Sequence, residues 1–212
     1  MKKGKRILAA FLAVLMVVAI MPFTMFSGMF TSKAKAAESG TVSYKLADAG
    51  LAAKITSAVQ AGTDNYFTIN ATESKAVETA DKAKTFEDGT TITQTLKMGS
   101  GNQGNITSRS ISFTVKTGTT ATVSVYGIAS GGTSASGNYT VIGLYNSEGN
   151  LVKASDNVMA ETKPVTTFDI TEAGTYYIAD YKAADAASTY KGLNIYGVTV
   201  KEKTSGSSEV IR

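Results

Sequence analysis

The side chains able to do chemistry in this chain form a short list. Its 212 residues contain no His, no Cys and no Trp. A Ser-His-Asp or Cys-His nucleophile is therefore out of reach, as are a Cys/His zinc site, an iron–sulfur cluster and a disulfide framework. The carboxylates Asp64, Glu73, Glu87, Asp88 and Asp180 are available, but no spacing among them singles out the pair that glycoside hydrolysis requires. The reading is thus non-enzymatic, with no cofactor. Glu87-Asp88-Gly89 could supply oxygen ligands to a structural calcium ion, without the spacing of an EF-hand.

What remains is Lys, Arg and Tyr. A basic side chain can grip a sugar carboxylate, Arg through two parallel hydrogen bonds, and an aromatic ring can cover the apolar face of a sugar. The candidates are Lys97, Arg109, Tyr126, Tyr181, Lys182 and Lys191, with Lys116 as a further exposed cation. Tyr181, Lys182, Tyr190 and Lys191 flank one alanine-rich loop. The plain alternatives are a solvated charge for each Lys, a salt bridge or loop anchor for Arg109, and an ordinary exposed loop for the Tyr/Lys group.

Charge narrows the partner. Lys2, Lys3, Lys5 and Arg6 precede an uncharged stretch from Ile7 to Ser32, and Ala34-Lys-Ala36 fits a signal-peptidase site. Positions 1–36 read as a signal peptide cleaved after Ala36 or one residue later, touching the membrane only during export. An uncleaved anchor is the rival reading, and either puts the remainder outside the cell, secreted or at the cell surface. The segment holds six of the 21 basic residues and none of the 17 acidic ones, which leaves 15 basic against 17 acidic and a net charge of −2. That balance argues against a nucleic-acid partner.

The elements that must hold these residues are strands. After a short segment, 37–40, the span 41–203 shows alternating runs broken by Gly, Asn, Asp and Ser, and about 165 residues suffice for a core without disulfides. In Ser108-Arg-Ser-Ile-Ser-Phe-Thr-Val-Lys116 the period of two sends Ile111, Phe113 and Val115 inward and Ser110, Ser112 and Thr114 to water. A turn at Thr117-Gly-Thr119 leads into Thr120–Tyr126, which buries Val123 and Val125, exposes Tyr126 and reads as the second arm of a hairpin. Tyr139–Tyr145 with Leu151-Val152, Val165–Ile170 and Thr175–Ala179 follow. In Gly192–Val200 the apolar phase shifts, which predicts a one-residue bulge at Gly197. Thr41–Leu46, Tyr66–Ile69 and Thr91–Met98 are weaker strands, and Leu51–Val59 has the apolar spacing of one short helix. The sum is an all-β, antiparallel two-sheet sandwich of jelly-roll type behind a signal-peptide helix, followed by a Ser/Gly linker over 204–212 that suggests a truncated longer protein.

The ordered set Asp64-Asn-Tyr-Phe-Thr-Ile69, Asp88-Gly-Thr-Thr-Ile-Thr-Gln-Thr-Leu-Lys-Met-Gly-Ser-Gly101, Ser108–Phe113, Ala121–Tyr126, Leu144-Tyr-Asn-Ser-Glu-Gly149, Ala173–Ile178 and Gly192–Tyr196 resembles the β-sandwich accessory modules of secreted bacterial pectate lyases and related pectin-degrading enzymes. The resemblance implies a non-catalytic carbohydrate-binding-like module, a polysaccharide partner such as pectin or polygalacturonate, and a covalently linked catalytic domain. One position departs: where that pattern has a basic residue after Thr-Gln, this chain has Thr95, which alternation places on the solvent face with Thr93 and Lys97. The competing class is a structural or cell-surface spacer without glycan affinity.

Overall fold

The computed structural model of the chain describes residues 40–99, 105–130 and 137–204. The signal-peptide or anchor segment 1–36 and the linker from 205 onward lie outside these. Among the described residues fifteen strands run in chain order: β1 (Thr41–Leu46), β2 (Lys54–Ile55), β3 (Val59–Ala61), β4 (Phe67–Asn70), β5 (Val77–Thr85), β6 (Thr91–Gly99), β7 (Ser110–Val115), β8 (Thr119–Ala129), β9 (Tyr139–Thr140), β10 (Ile142–Tyr145), β11 (Leu151–Ala154), β12 (Val158–Met159), β13 (Val165–Ile170), β14 (Gly174–Asp180) and β15 (Leu193–Thr204). Among the described residues the only helical piece is a 3-10 turn at Thr63–Asn65. None of them forms a helix long and apolar enough to cross a membrane.

Two antiparallel sheets result. The first runs β13-β8-β15-β6-β5-β2, with β1 also paired to β15, and the second runs β11-β10-β14-β7-β4-β3. β9 and β12 form a separate two-stranded ribbon. β15 organises the first sheet: β8 follows one flank for its whole length, while β6 pairs with its first residues and β1 with the rest. Where β6 parts from β15, Asp48 closes the gap. Its carboxylate accepts from the Thr93 amide and hydroxyl and from the Gln94 amide, and the Thr93 hydroxyl foremost holds that carboxyl below its ordinary range.

The predicted core phases hold. Ile111, Phe113, Val115, Val123 and Val125 are at most 3% exposed, and Tyr176 and Ile178 face the same interior. Phe67, Phe113, Tyr66 and Tyr176 form a chain of aromatic contacts with centroids 5.2 to 6.3 Å apart. The bulge at the end of the chain is present too. The β8–β15 register shifts between Ile195 and Gly197, so Tyr196 is the extra residue. A Cβ at Gly197 would lie 2.9 Å from both Ile92 and the Leu46 carbonyl, which explains glycine at this point.

Several expectations fail, each for a reason of pairing. β7 and β8 are not a hairpin: β7 pairs with β14 and β4, and β8 with β13 and β15, so the Gly118 turn carries the chain from one sheet to the other. Leu51–Val59 is no helix. Two turns of helix are marginal without support, and here β2 pairs along β5 at the edge of the first sheet and β3 along β4 at the edge of the second. The run Tyr139–Tyr145 is split at Val141, whose carbonyl accepts from the Tyr181 amide. Ser110 and Ser112 are buried instead of solvated, because Asn70 crosses the outer face of β7 to donate to both hydroxyls.

Thr95 also departs from expectation. It is 2% exposed, with Ala80 opposite it on β5. Its hydroxyl has no hydrogen-bond partner among the described residues. A buried hydroxyl without a partner costs on the order of 1 kcal/mol or more. Thr95→Val should therefore raise stability by about 1 kcal/mol in urea unfolding; a loss of that size would mean that the hydroxyl is bonded.

Candidate functional site

The registers gather most of the candidate residues at one end of the sandwich. Gly99, the last residue of β6, lies opposite Leu193, the first of β15, and Leu193 lies opposite Ala129, the last of β8. β14 reaches the same end with Asp180, opposite Ile142. Lys97, Tyr181, Lys182 and Lys191 all sit within two residues of these strand ends, and Arg109, directly before β7, reaches Gly99 with its guanidinium. Tyr126, three residues inside β8, stands apart from them.

Lys97 is exposed on the outer face of the first sheet. Its Nζ lies 3.0 Å from a Glu78 carboxylate oxygen, in a salt bridge whose two side chains are about half exposed. Lys54 lies opposite Glu78 on β2, so Lys54, Glu78 and Lys97 form one row across three strands. The hydrogen-bonded Lys97 ammonium, with Lys54 and Arg109 at longer range, holds the Glu78 carboxyl below its ordinary value. Three cations thus share one carboxylate. Sequence reasoning missed Lys54 and Glu78 because neither lies near Lys97 along the chain. Only strand pairing makes them neighbours.

Arg109 precedes β7 in the left-handed region, at φ 51°. Its Nε donates to the Ala76 carbonyl at 3.2 Å, and its guanidinium lies over Gly99, where any Cβ would collide with it. Arg109 is thus a half-buried anchor between β5 and β6, next along the strands from the Lys97 row.

The Tyr/Lys loop is built on a buried carboxylate. Asp180 is fully buried, and its side chain accepts from the Tyr190 hydroxyl at 2.9 Å. Its backbone carbonyl accepts from the Tyr145 hydroxyl at 3.0 Å. Burial, reinforced by the Asp180 charge, raises the Tyr190 phenol well above its usual value, so it stays a neutral donor. Tyr139 packs edge-on against Tyr190, and the Lys182 ammonium stands 5.7 Å from the Tyr190 ring centroid. Lys191 donates from Nζ to the Ser188 carbonyl at 3.2 Å, and the half-buried Tyr181 from its amide to Val141. The sequence marks Asp180 only as one of several available carboxylates and Tyr139 only as the start of a strand, since an isolated Asp at a strand end carries no signal of its burial.

Tyr126 is less exposed than alternation along β8 predicts. Its ring is half-buried in a second apolar cluster with Phe86, Ile92, Ile128 and Tyr196, edge-on to Phe86 at 5.2 Å. Its hydroxyl donates to Asp88 at 3.0 Å. The Phe86 turn folds back over the outer face of the first sheet, and alternation within β8 cannot anticipate that cover. The suggested calcium ligands are engaged as well: Glu87 accepts from the Val165 amide, and Asp88 from the Thr90 amide and Tyr126. Burial alone would raise the Asp88 carboxyl, but the bonds from Thr90 and Tyr126 outweigh it and lower it. Among the described residues no three metal-ligating side chains converge.

The fold and this end define the protein as an antiparallel two-sheet β-sandwich with a cation-bearing, tyrosine-lined rim. No protein-family model matches the sequence, and no curated protein sequence matches it. Two solved structures are similar in outline. One is CBM51 from Clostridium perfringens GH95 in complex with methyl-galactose, at a TM-score of 0.33 and 9% identity, covering 73% of this chain and 99% of that one. The other is CBM51-2 with the INT domains from Clostridium perfringens ZmpB, at a TM-score of 0.37 and 11% identity, covering 78% of this chain and 38% of that one.

Proposed function

We propose that this protein is a non-catalytic carbohydrate-binding module whose cationic end takes an acidic polysaccharide of the pectin type. The observation that carries the reading is the gathering of Lys54, Lys97, Arg109, Lys182 and Lys191 at one end by five different segments of the chain. Lys97 and Arg109 are held by Glu78 and the Ala76 carbonyl, so they meet a ligand already oriented. Export through the segment 1–36, a secreted or cell-surface location and linkage to a pectin-degrading catalytic domain belong to the same proposal.

The test is retardation in native gels containing polygalacturonate, highly methylated pectin or xylan. Polygalacturonate alone should retard the protein, and about 1 M salt should abolish the effect by screening exposed charges. Lys97→Glu should weaken binding about tenfold, equivalent to about 1.4 kcal/mol. Because Arg109 also anchors β5, its role is better read from Lys54→Glu and Lys182→Glu, which leave that anchor intact. No retardation by any polymer overturns the proposal and favours a spacer, in which Glu78 serves simply to neutralise Lys97.

A further inference from the structure

The outer face of the second sheet differs in chemistry from that of the first. β5 and β15 present Lys82, Lys201 and Lys203 to solvent, with Glu78 and Asp81 among them. In the second sheet, registers set Gln60, Thr68, Ser112 and Tyr177 side by side across β3, β4, β7 and β14. Strand spacing makes this row roughly 15 Å long. A cleft of about 390 Å³ lies over the Gln60, Thr68 and Ser112 part of this row, and Asn65, Thr114 and Thr175 add polar residues to a lining that also takes in Tyr66 and Phe113. Among the described residues no carboxylate lines it, and Lys116 is the one cation that does.

From this cleft we infer a second binding site, for a neutral, hydroxyl-rich oligosaccharide lying across the strands. It does not depend on the acidic-glycan reading, since it occupies another face and uses uncharged groups. Hydroxyls and amides both donate and accept, which matches a sugar chain whose every hydroxyl does the same. Ser112 accepts from Asn70 and so has its own proton to give, while the Thr114 and Thr175 hydroxyls bond each other at 3.0 Å and retain one donor between them. The wall is rigid as well. The Tyr66 ring stacks on Tyr44 at 3.8 Å, and its hydroxyl lies within hydrogen-bonding distance of Glu202 (2.7 Å) and the Thr114 carbonyl (2.9 Å). Burial foremost, and then Glu202, raises the Tyr66 phenol far above its usual value, so the wall stays neutral. A cleft already in shape spares a ligand the cost of ordering it, and its volume lies in the range of small-ligand sites.

The test is a heteronuclear NMR titration of the protein with neutral hexasaccharides of β-linked glucose, xylose and mannose. At least one should shift the amides of Gln60, Thr68, Ser112 and Thr175, with an affinity that salt leaves unchanged. Gln60→Ala, an exposed change that spares the fold, combined with Thr175→Val should weaken that binding about tenfold or more and leave any polygalacturonate retardation untouched. Shifts confined to the Lys97 end, or none for all three sugars at about 10 mM, overturn the inference. Neutral-sugar shifts without polygalacturonate retardation uphold it and sink only the acidic-glycan reading.

Discussion

Phe113→Ala should cost the sandwich about 3–5 kcal/mol, the range for removing a buried phenyl ring that its surroundings cannot refill. Phe113 is 3% exposed on the inner face of β7, midway in the second sheet. Its ring touches Phe67, Tyr66 and Tyr176, with centroids 6.2 to 6.3 Å away, so its loss opens the middle of the aromatic chain. Those rings are pinned from outside: Tyr176 donates to the Glu172 carbonyl and Tyr66 stacks on Tyr44. They cannot close over the gap. For a domain of this size the thermal midpoint should fall by roughly 10 °C. A drop equivalent to less than about 1 kcal/mol would show that the two sheets do not pack through Phe113.

Gly143→Ala carries a sign that decides the matter. At an open strand position this change stabilises by about 0.4–1 kcal/mol, because alanine has less backbone freedom to lose on folding. Here the Tyr145 ring lies across Gly143, and a Cβ would stand 2.5 Å from Cε2 and 2.8 Å from Cζ and the hydroxyl oxygen. The backbone of a central strand cannot yield, so the ring must move. Its hydrogen bond to the Asp180 carbonyl is then broken, and with it a support of the Tyr190–Lys182 loop. The expected loss is about 2–3 kcal/mol, in the range of core overpacking, with a changed tyrosine signal in near-ultraviolet circular dichroism. In a double-mutant cycle, Tyr145→Ala should remove most of the penalty of Gly143→Ala. A stabilising or neutral Gly143→Ala would mean that the ring does not cover the glycine.

These two positions separate what could be read along the chain from what could not. Phe113 was legible as core because alternation is a local property: Ile111, Phe113 and Val115 share a face whatever β7 pairs with. Gly143 carried no such signal, since its importance comes from a ring two residues on folding back over it. β5 went unread because only Val77 of its nine residues is buried. An edge-side strand carrying Glu78, Asp81, Lys82 and Lys84 lacks the alternation by which strands are found.

The amino-acid sequence by itself determined an all-β chain without His or Cys, the inward phase of the main strands, and a bulge in β15, expected at Gly197 and found with Tyr196 as the extra residue. Each follows from composition or from period-two patterning within one strand. Only the tertiary structure decided which strands are neighbours. That set β7 and β8 in different sheets, drew Lys54 and Glu78 to Lys97, buried Asp180 beneath Tyr190, and turned Thr95 and Tyr126 from expected surface groups into covered ones. Pairing joins residues far apart along the chain, and the outer face of a strand becomes polar surface or buried wall according to the segments that cross it.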